Sequence, residues 1–186
     1  MLYDKDIREP LFYYLEDRFG KCRIIEEKTM GRARADMIMV LPDEIVGIEI
    51  KSSADTYERL QKQVRNYNKF CDRNYLVVGI RHAKHAAAHV PDSWGIICIY
   101  EDNKEIIIEE QRPAGINTKC APKNQLSWAW RIELDHMLAI NHMPRYRQKS
   151  KAFIHEKLLA KVPWDVLKAQ FCEELFQRDY TLWDEE

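Results

Sequence analysis

Apolar and polar residues alternate along this chain in two distinct periods, and the change from one to the other marks its elements. Ile7, Leu11, Leu15 and Phe19 recur at helical spacing, which predicts a first helix over Asp6 to Phe19. Asp6 is its expected cap, Pro10 is expected in its first turn, and Gly20 ends it. Cys22 to Glu26 reads as a strand. Two runs rich in β-branched residues, Met37–Leu41 and Ile45–Ile50, flank a Pro42–Asp43 turn and predict a hairpin. The helical period returns with Tyr57, Leu60, Val64, Tyr67 and Cys71, where Asp55 and Glu58 suit a capping box. Tyr75–Ile80 is continuously apolar, as in a strand covered on both faces. A short helix over Arg81 to His89 stops before Pro91, and strands over Gly95–Tyr100 and Glu105–Glu109 turn at Asp102 and Asn103.

Beyond Glu109 the pattern lapses. Gln111 to Gln125 holds Pro113, Gly115, Asn117, Pro122 and Asn124 without periodicity. Helices are then expected from Ser127 to Ile140, from a Ser150 cap to Lys161, and from Pro163 to about Arg178. The expected architecture is α/β. A mixed central sheet flanked by helices fills residues 1–110, a linker covers 111–125, and a helical subdomain occupies 126–186.

Within the hairpin, three charges interrupt the apolar pattern. Asp36 opens the first strand, while Glu49 and Lys51 close the second. Residues two apart on a strand share a face, so Glu49 and Lys51 point together, and Asp36 on the adjacent strand can bring its carboxylate near that of Glu49. Paired carboxylates repel unless a cation lies between them. A hard divalent ion with oxygen ligands fits, and an ammonium beside it suits the charge that develops in phosphodiester hydrolysis. The plainer alternative is a surface salt bridge between Glu49 and Lys51.

This arrangement resembles the PD-(D/E)XK nuclease superfamily, with its restriction-endonuclease-like fold. Asp36 matches the first acidic position and Glu49-Ile50-Lys51 the E-x-K tripeptide; Ala35 stands where the superfamily's name has proline. Gln63 and Tyr67, four apart on the helix that follows, are similar to the Gln-x-x-x-Tyr motif of the RecB-like and lambda-exonuclease-like branches. In outline the whole chain resembles a group of small bacterial and phage members of that superfamily. The resemblance implies a metal-dependent nuclease, with DNA as the expected partner. Asp36, Glu49 and the backbone carbonyl of Ile50 would bind Mg2+ or Mn2+. Lys51 would assist the attacking water, and Gln63 and Tyr67 would orient the substrate. Glu9 is a further candidate ligand, because superfamily members often bring an acidic residue from the first helix. A non-catalytic nucleic-acid-binding or scaffold protein that kept the fold is the alternative.

Composition narrows the setting. The 186 residues carry a net charge of -1, so a nucleic-acid surface must be local. Arg32 and Arg34, beside Asp36, are candidate phosphate contacts; equally, they can neutralise Glu26 and Glu27. Between His142 and Lys161 lie Arg145, Arg147, Lys149, Lys151, Lys157 and Lys161 against a single acidic residue, Glu156. Tyr146 and Phe153 interleave with them, as at surfaces that meet backbone and bases. Arg145, Arg147, Lys149 and Lys151 are the nucleic-acid candidates of this segment, and the acidic end at Asp184, Glu185 and Glu186 offsets part of their charge. His82, His85 and His89 fall on one face of the expected short helix, but no neighbouring ligand completes a metal set. Five scattered cysteines form no C-x-x-C pair, and the start has no apolar run of signal-peptide length. No stretch approaches a membrane span. A reducing cytoplasm is the expected location; the pattern is silent on oligomeric state.

Overall fold

The computed structural model describes residues 2–31 and 33–179. The chain divides into two compact units. The first comprises Met1–Leu41 and Ile45–Cys120; the second comprises Pro42–Glu44 and Ala121–Glu186.

The first unit is built on a six-stranded mixed sheet. In chain order its elements are α1 (Asp4–Phe19), β1 (Arg23–Glu26), β2 (Thr29–Met30), β3 (Ala33–Arg34), β4 (Met37–Val40) and β5 (Ile45–Lys51). They continue through α2 (Leu60–Phe70), β6 (Arg73–Gly79), α3 (Ile80–Ala83), a 3-10 turn at Ala86–His89, β7 (Gly95–Asp102) and β8 (Glu105–Arg112). The strand order is β1-β4-β5-β6-β7-β8, with β2 and β3 forming a separate small hairpin. β5, β6 and β7 are parallel; the outer pairings are antiparallel. The α/β class read from the sequence is the observed one.

Alternation along the strands assigns the two faces of the sheet. Val46, Ile48 and Ile50 of β5 pack with Met37, Met39, Val77, Ile97 and Ile99 against Ile7, Leu11 and Leu15 of α1. Burying each such side chain contributes about 1.5–3 kcal/mol. The opposite face of β5 carries Gly47, Glu49 and Lys51 and lies under α2. A Cβ at Gly47 would fall 2.4 Å from the Tyr67 ring, so glycine is what allows this helix to seat so closely. All seven residues of β5 are buried, as a strand covered on both faces requires.

Several local expectations are corrected. Helix α1 starts at Asp4, which places Pro10 in its interior and not its first turn. Asp55 does not cap α2, which begins at Leu60. Its carboxylate instead accepts from the Ser52 N–H (2.8 Å) and hydroxyl (2.6 Å), folding the chain after β5 into a turn. The Arg81–His89 segment is broken between α3 and the 3-10 turn, so its histidines share no helical face. The β7–β8 turn uses Asn103 and Lys104, both at positive φ (49° and 68°).

The second unit contains four helices among its described residues: α4 (Pro122–Leu126), α5 (Arg131–Ile140), α6 (Lys151–Lys161) and α7 (Trp164–Gln177). The single helix expected over Ser127 to Ile140 is absent, and α4 and α5 lie on either side of Ser127. Ser150 caps α6, its hydroxyl accepting from the Phe153 N–H at 3.3 Å. No helix among the described residues is long and apolar enough to cross a membrane. All five cysteines are free thiols.

Candidate active site

Strand β4 is shorter than its partner. Its ladder with β5 ends at Met37 opposite Ile48, whereas β5 continues through Glu49, Ile50 and Lys51. The Ile50 N–H has no strand beside it and is taken by the Asp36 carboxylate at 2.8 Å. A residue's N–H and C=O leave a strand toward the same edge, so the Ile50 carbonyl also faces this gap.

Glu49 is fully buried and Lys51 nearly so. Lys51 Nζ lies 2.5 Å from Glu49 Oε1, while Glu49 Oε2 has no hydrogen-bond partner. The surface salt bridge considered from the sequence is therefore a buried one, with an oxygen left over. Burial and then the Asp36 charge push the Glu49 carboxyl up to about 7, against the opposing pull of Lys51. Burial also raises Asp36, opposed by the Ile50 N–H and Lys51. A buried carboxylate with an unused oxygen beside a second carboxylate is poorly compensated as it stands. Asp36 and Glu49 offer the hard oxygens that suit a small divalent cation. Among the described residues no three His, Cys, Asp or Glu side chains gather closely enough to hold an ion. Two carboxylates and a carbonyl, with water completing the shell, match how Mg2+ is usually held.

Tyr67 is bonded to the backbone of both strands. Its hydroxyl donates to the Ile48 carbonyl at 2.8 Å and accepts from the Asp36 N–H at 3.0 Å, and its ring is fully buried. It ties together the two strands where they part. The hydroxyl is thus engaged with backbone on both sides. Gln63 lies one turn earlier. Because α2 returns antiparallel to β5 between two parallel strands, that turn brings Gln63 toward the Glu49–Lys51 end. Its Oε1 is buried without a partner.

Ala35 is also explained. Its N–H donates to the Lys28 carbonyl at 2.8 Å, a bond that proline could not make.

The profile of the family described as Bacteriophage P4 protein cII matches residues 5–182. The chain belongs to that family. No curated protein matches the chain. Among solved structures, SfsA of Pyrococcus furiosus in complex with Ca2+ is similar at 16% identity and a TM-score of 0.37. The match covers 60% of this chain and 62% of that one, so less than two thirds of the SfsA chain is spanned.

Other candidate residues fall elsewhere. Glu9 is exposed; the α1 carboxylate whose charge acts on Asp36 is that of Asp4. Arg8, which the sequence did not single out, bonds Asp4 (2.7 Å), Glu26 (2.7 Å) and Glu27 (3.3 Å) and reaches the Asp36 carbonyl at 3.4 Å. It escaped notice because its partners are up to 28 residues away along the chain. Arg34 pairs with Glu27 at 2.5 Å on the surface, and Arg32 lies outside the described residues. Asp184, Glu185 and Glu186 also lie outside them.

In the second unit, Arg145, Arg147, Lys149 and Lys151 are all exposed. Arg131 holds the Lys149 and Tyr146 carbonyls at 2.7 and 2.8 Å. The Phe153 ring is met edge-on by Tyr146 at 5.2 Å and carries Lys149 and Lys157 ammonium groups at 5.4 and 5.3 Å. These contacts build an aromatic and basic cluster out of residues that the sequence only interleaved.

Proposed function

We propose that the protein is a metal-dependent nuclease of the PD-(D/E)XK type, hydrolysing phosphodiester bonds in DNA. The observation that carries this reading is the buried Glu49 carboxylate, pushed up to about 7, with Oε2 partnerless and Asp36 beside it. Such an arrangement is costly in a resting fold and becomes favourable once a cation joins it.

In this reading Asp36, Glu49 and the Ile50 carbonyl hold Mg2+ or Mn2+. When bound, the ion supplies Lewis acidity and lowers the pKa of a coordinated water. Lys51 brings positive charge to the phosphorus centre as water adds, the bridging P–O bond breaks and the leaving oxygen takes up a proton. Glu49 holds the ammonium in place through Oε1. Tyr67 fixes Asp36 through its backbone, and Gln63 is the group of α2 available to substrate or to metal-bound water. The test is incubation of the purified protein with linear, circular and single-stranded DNA in Mg2+, Mn2+ or chelator. Cleavage that requires the ion supports the reading; cleavage undiminished in chelator overturns it.

A second reading is a non-catalytic nucleic-acid-binding protein, favoured by the cluster around Phe153. Neutralising Arg145, Arg147, Lys149 and Lys151 together is expected to weaken DNA binding and flatten its salt dependence, by roughly one slope unit for each phosphate left without its cation. Fluorescence anisotropy across a salt series measures this, and an unchanged slope removes the cluster from any role in binding.

A further inference from the structure

The histidine-rich segment after β6 has no part in the site described above, yet the fold brings it beside that site. β5 and β6 are parallel neighbours, so the chain leaves both at the same edge of the sheet. A Cβ at Gly79 would come within 2.3 Å of Ser53 Oγ and 2.9 Å of its backbone nitrogen. Glycine at the end of β6 therefore lets the start of α3 lie directly against the chain leaving Lys51.

Tyr57 fastens the two loops together. Its ring stacks on His89 (3.9 Å between centroids, 26° between planes) and meets His82 at 4.8 Å, and its hydroxyl donates to the His82 carbonyl at 3.3 Å. His89 is exposed on this stack. Ile80–Val90 contains Arg81, Lys84 and three histidines and no acidic residue. Arg81 and Lys84 are exposed, as are Arg59 and Lys62 at the start of α2 just after Tyr57, and among the described residues none of the four is ion-paired. Arg8, Arg18, Arg34 and Arg112 of the same unit, by contrast, have carboxylate partners.

We propose that this rim is the entry track for a single strand of nucleic acid. Its phosphates lie along Arg81, Lys84, Arg59 and Lys62, and a base extends the Tyr57–His89 stack. The proposal rests on the nuclease reading of the adjacent site and adds strandedness to it. A flat exposed ring accepts any unpaired base by stacking, whereas a duplex hides its base faces. Unpaired cations next to the ring supply the backbone attraction.

The experiment measures binding of a fluorescein-labelled single-stranded DNA oligonucleotide and of the matching blunt duplex in chelator, across a salt series. Cleavage is assayed separately in Mn2+. The proteins are wild type, R81S/K84S, H89A and, as a single-charge control at the opposite edge of the sheet beside the start of β6, K119S. All four positions are exposed, and circular dichroism checks folding. The expected result is tighter binding of the single strand by wild type. R81S/K84S should lose about 1.4 units of its single-strand salt slope. H89A should lose roughly tenfold in single-strand affinity with little change for duplex, and K119S should match wild type. If R81S/K84S and H89A bind the single strand as wild type does, the rim is not the track, whatever the cleavage assay shows. If they lose binding while wild type cleaves nothing with any divalent ion, the track stands and the nuclease reading falls.

Discussion

Among the described residues each unit buries one glutamate against a cation, and the two pairs are finished differently. In the second unit Arg178 grips both oxygens of Glu133 at 2.6 Å, adds a bond to the Trp128 carbonyl and lies 4.2 Å over the Trp130 ring; Glu133 also accepts from the Trp130 N–H at 2.6 Å. Every Glu133 oxygen has a partner. In the first unit Lys51 reaches only one oxygen of Glu49, the other has none, and Asp36 adds like charge. A bidentate, fully bonded guanidinium pair is how a fold closes a buried charge. A half-bonded pair beside a second carboxylate retains binding capacity. The contrast separates a structural ion pair from a candidate chemical one without reference to any motif.

The largest expected effect tests that difference directly. Alanine at Asp36, Glu49 or Lys51 should each lower metal-dependent cleavage by at least a thousandfold, or about 4 kcal/mol, with the circular dichroism spectrum unchanged. A fully active D36A protein would remove the site from catalysis. The converse holds for the closed pair. E133Q should destabilise the protein by about 3–5 kcal/mol, because it leaves a buried guanidinium without its counter-charge. E49Q in metal-free buffer should destabilise less than E133Q, because burial and Asp36 already oppose the Glu49 charge and Asp36 stays beside the Lys51 ammonium. Denaturant unfolding of the two variants side by side measures the contrast, and equal destabilisation would erase it.

The pH dependence follows from the same asymmetry. Glu49 titrates at about 7 in the fold and at 4.5 when unperturbed, so the folded state binds the extra proton between these values. Its contribution to stability is present below pH 4.5 and is lost as pH climbs through about 7, amounting to roughly 3 kcal/mol. Added Mn2+ should therefore raise Tm more at pH 8 than at pH 6. An equal shift at both values would mean that the ion does not bind Glu49. A smaller effect than that of Asp36 or Glu133 belongs to Tyr67. Y67F deprives the Asp36 N–H and Ile48 carbonyl of their shared hydroxyl, costing about 1–3 kcal/mol. It should also weaken Mn2+ binding by loosening Asp36. Calorimetric titration showing unaltered Mn2+ affinity in Y67F would limit the hydroxyl to a stabilising role.

What the sequence determined by itself are the features that local chemistry decides. The buried stripe Ile7–Leu11–Leu15, the Pro42–Asp43 turn between two apolar runs, the Ser150 cap and the β-branched segments follow from periodicity and backbone preference, and the α/β class follows from their order. The period of two also placed Glu49 and Lys51 on one face before any partner strand was known. Tertiary structure decided the rest. Asp55 has the composition of a cap but folds onto Ser52, and α2 begins only at Leu60. The histidine spacing suited one helix face, yet the segment breaks and folds around Tyr57. Whether Glu49 and Lys51 formed a solvated pair or a buried one was undecided by their identities. It depends on β5 being a central strand covered by α1 and α2, and on β4 stopping at Met37 so that Asp36 faces them. Burial and neighbouring charge are properties of the assembled sheet, and they are what shift a carboxyl from its ordinary range.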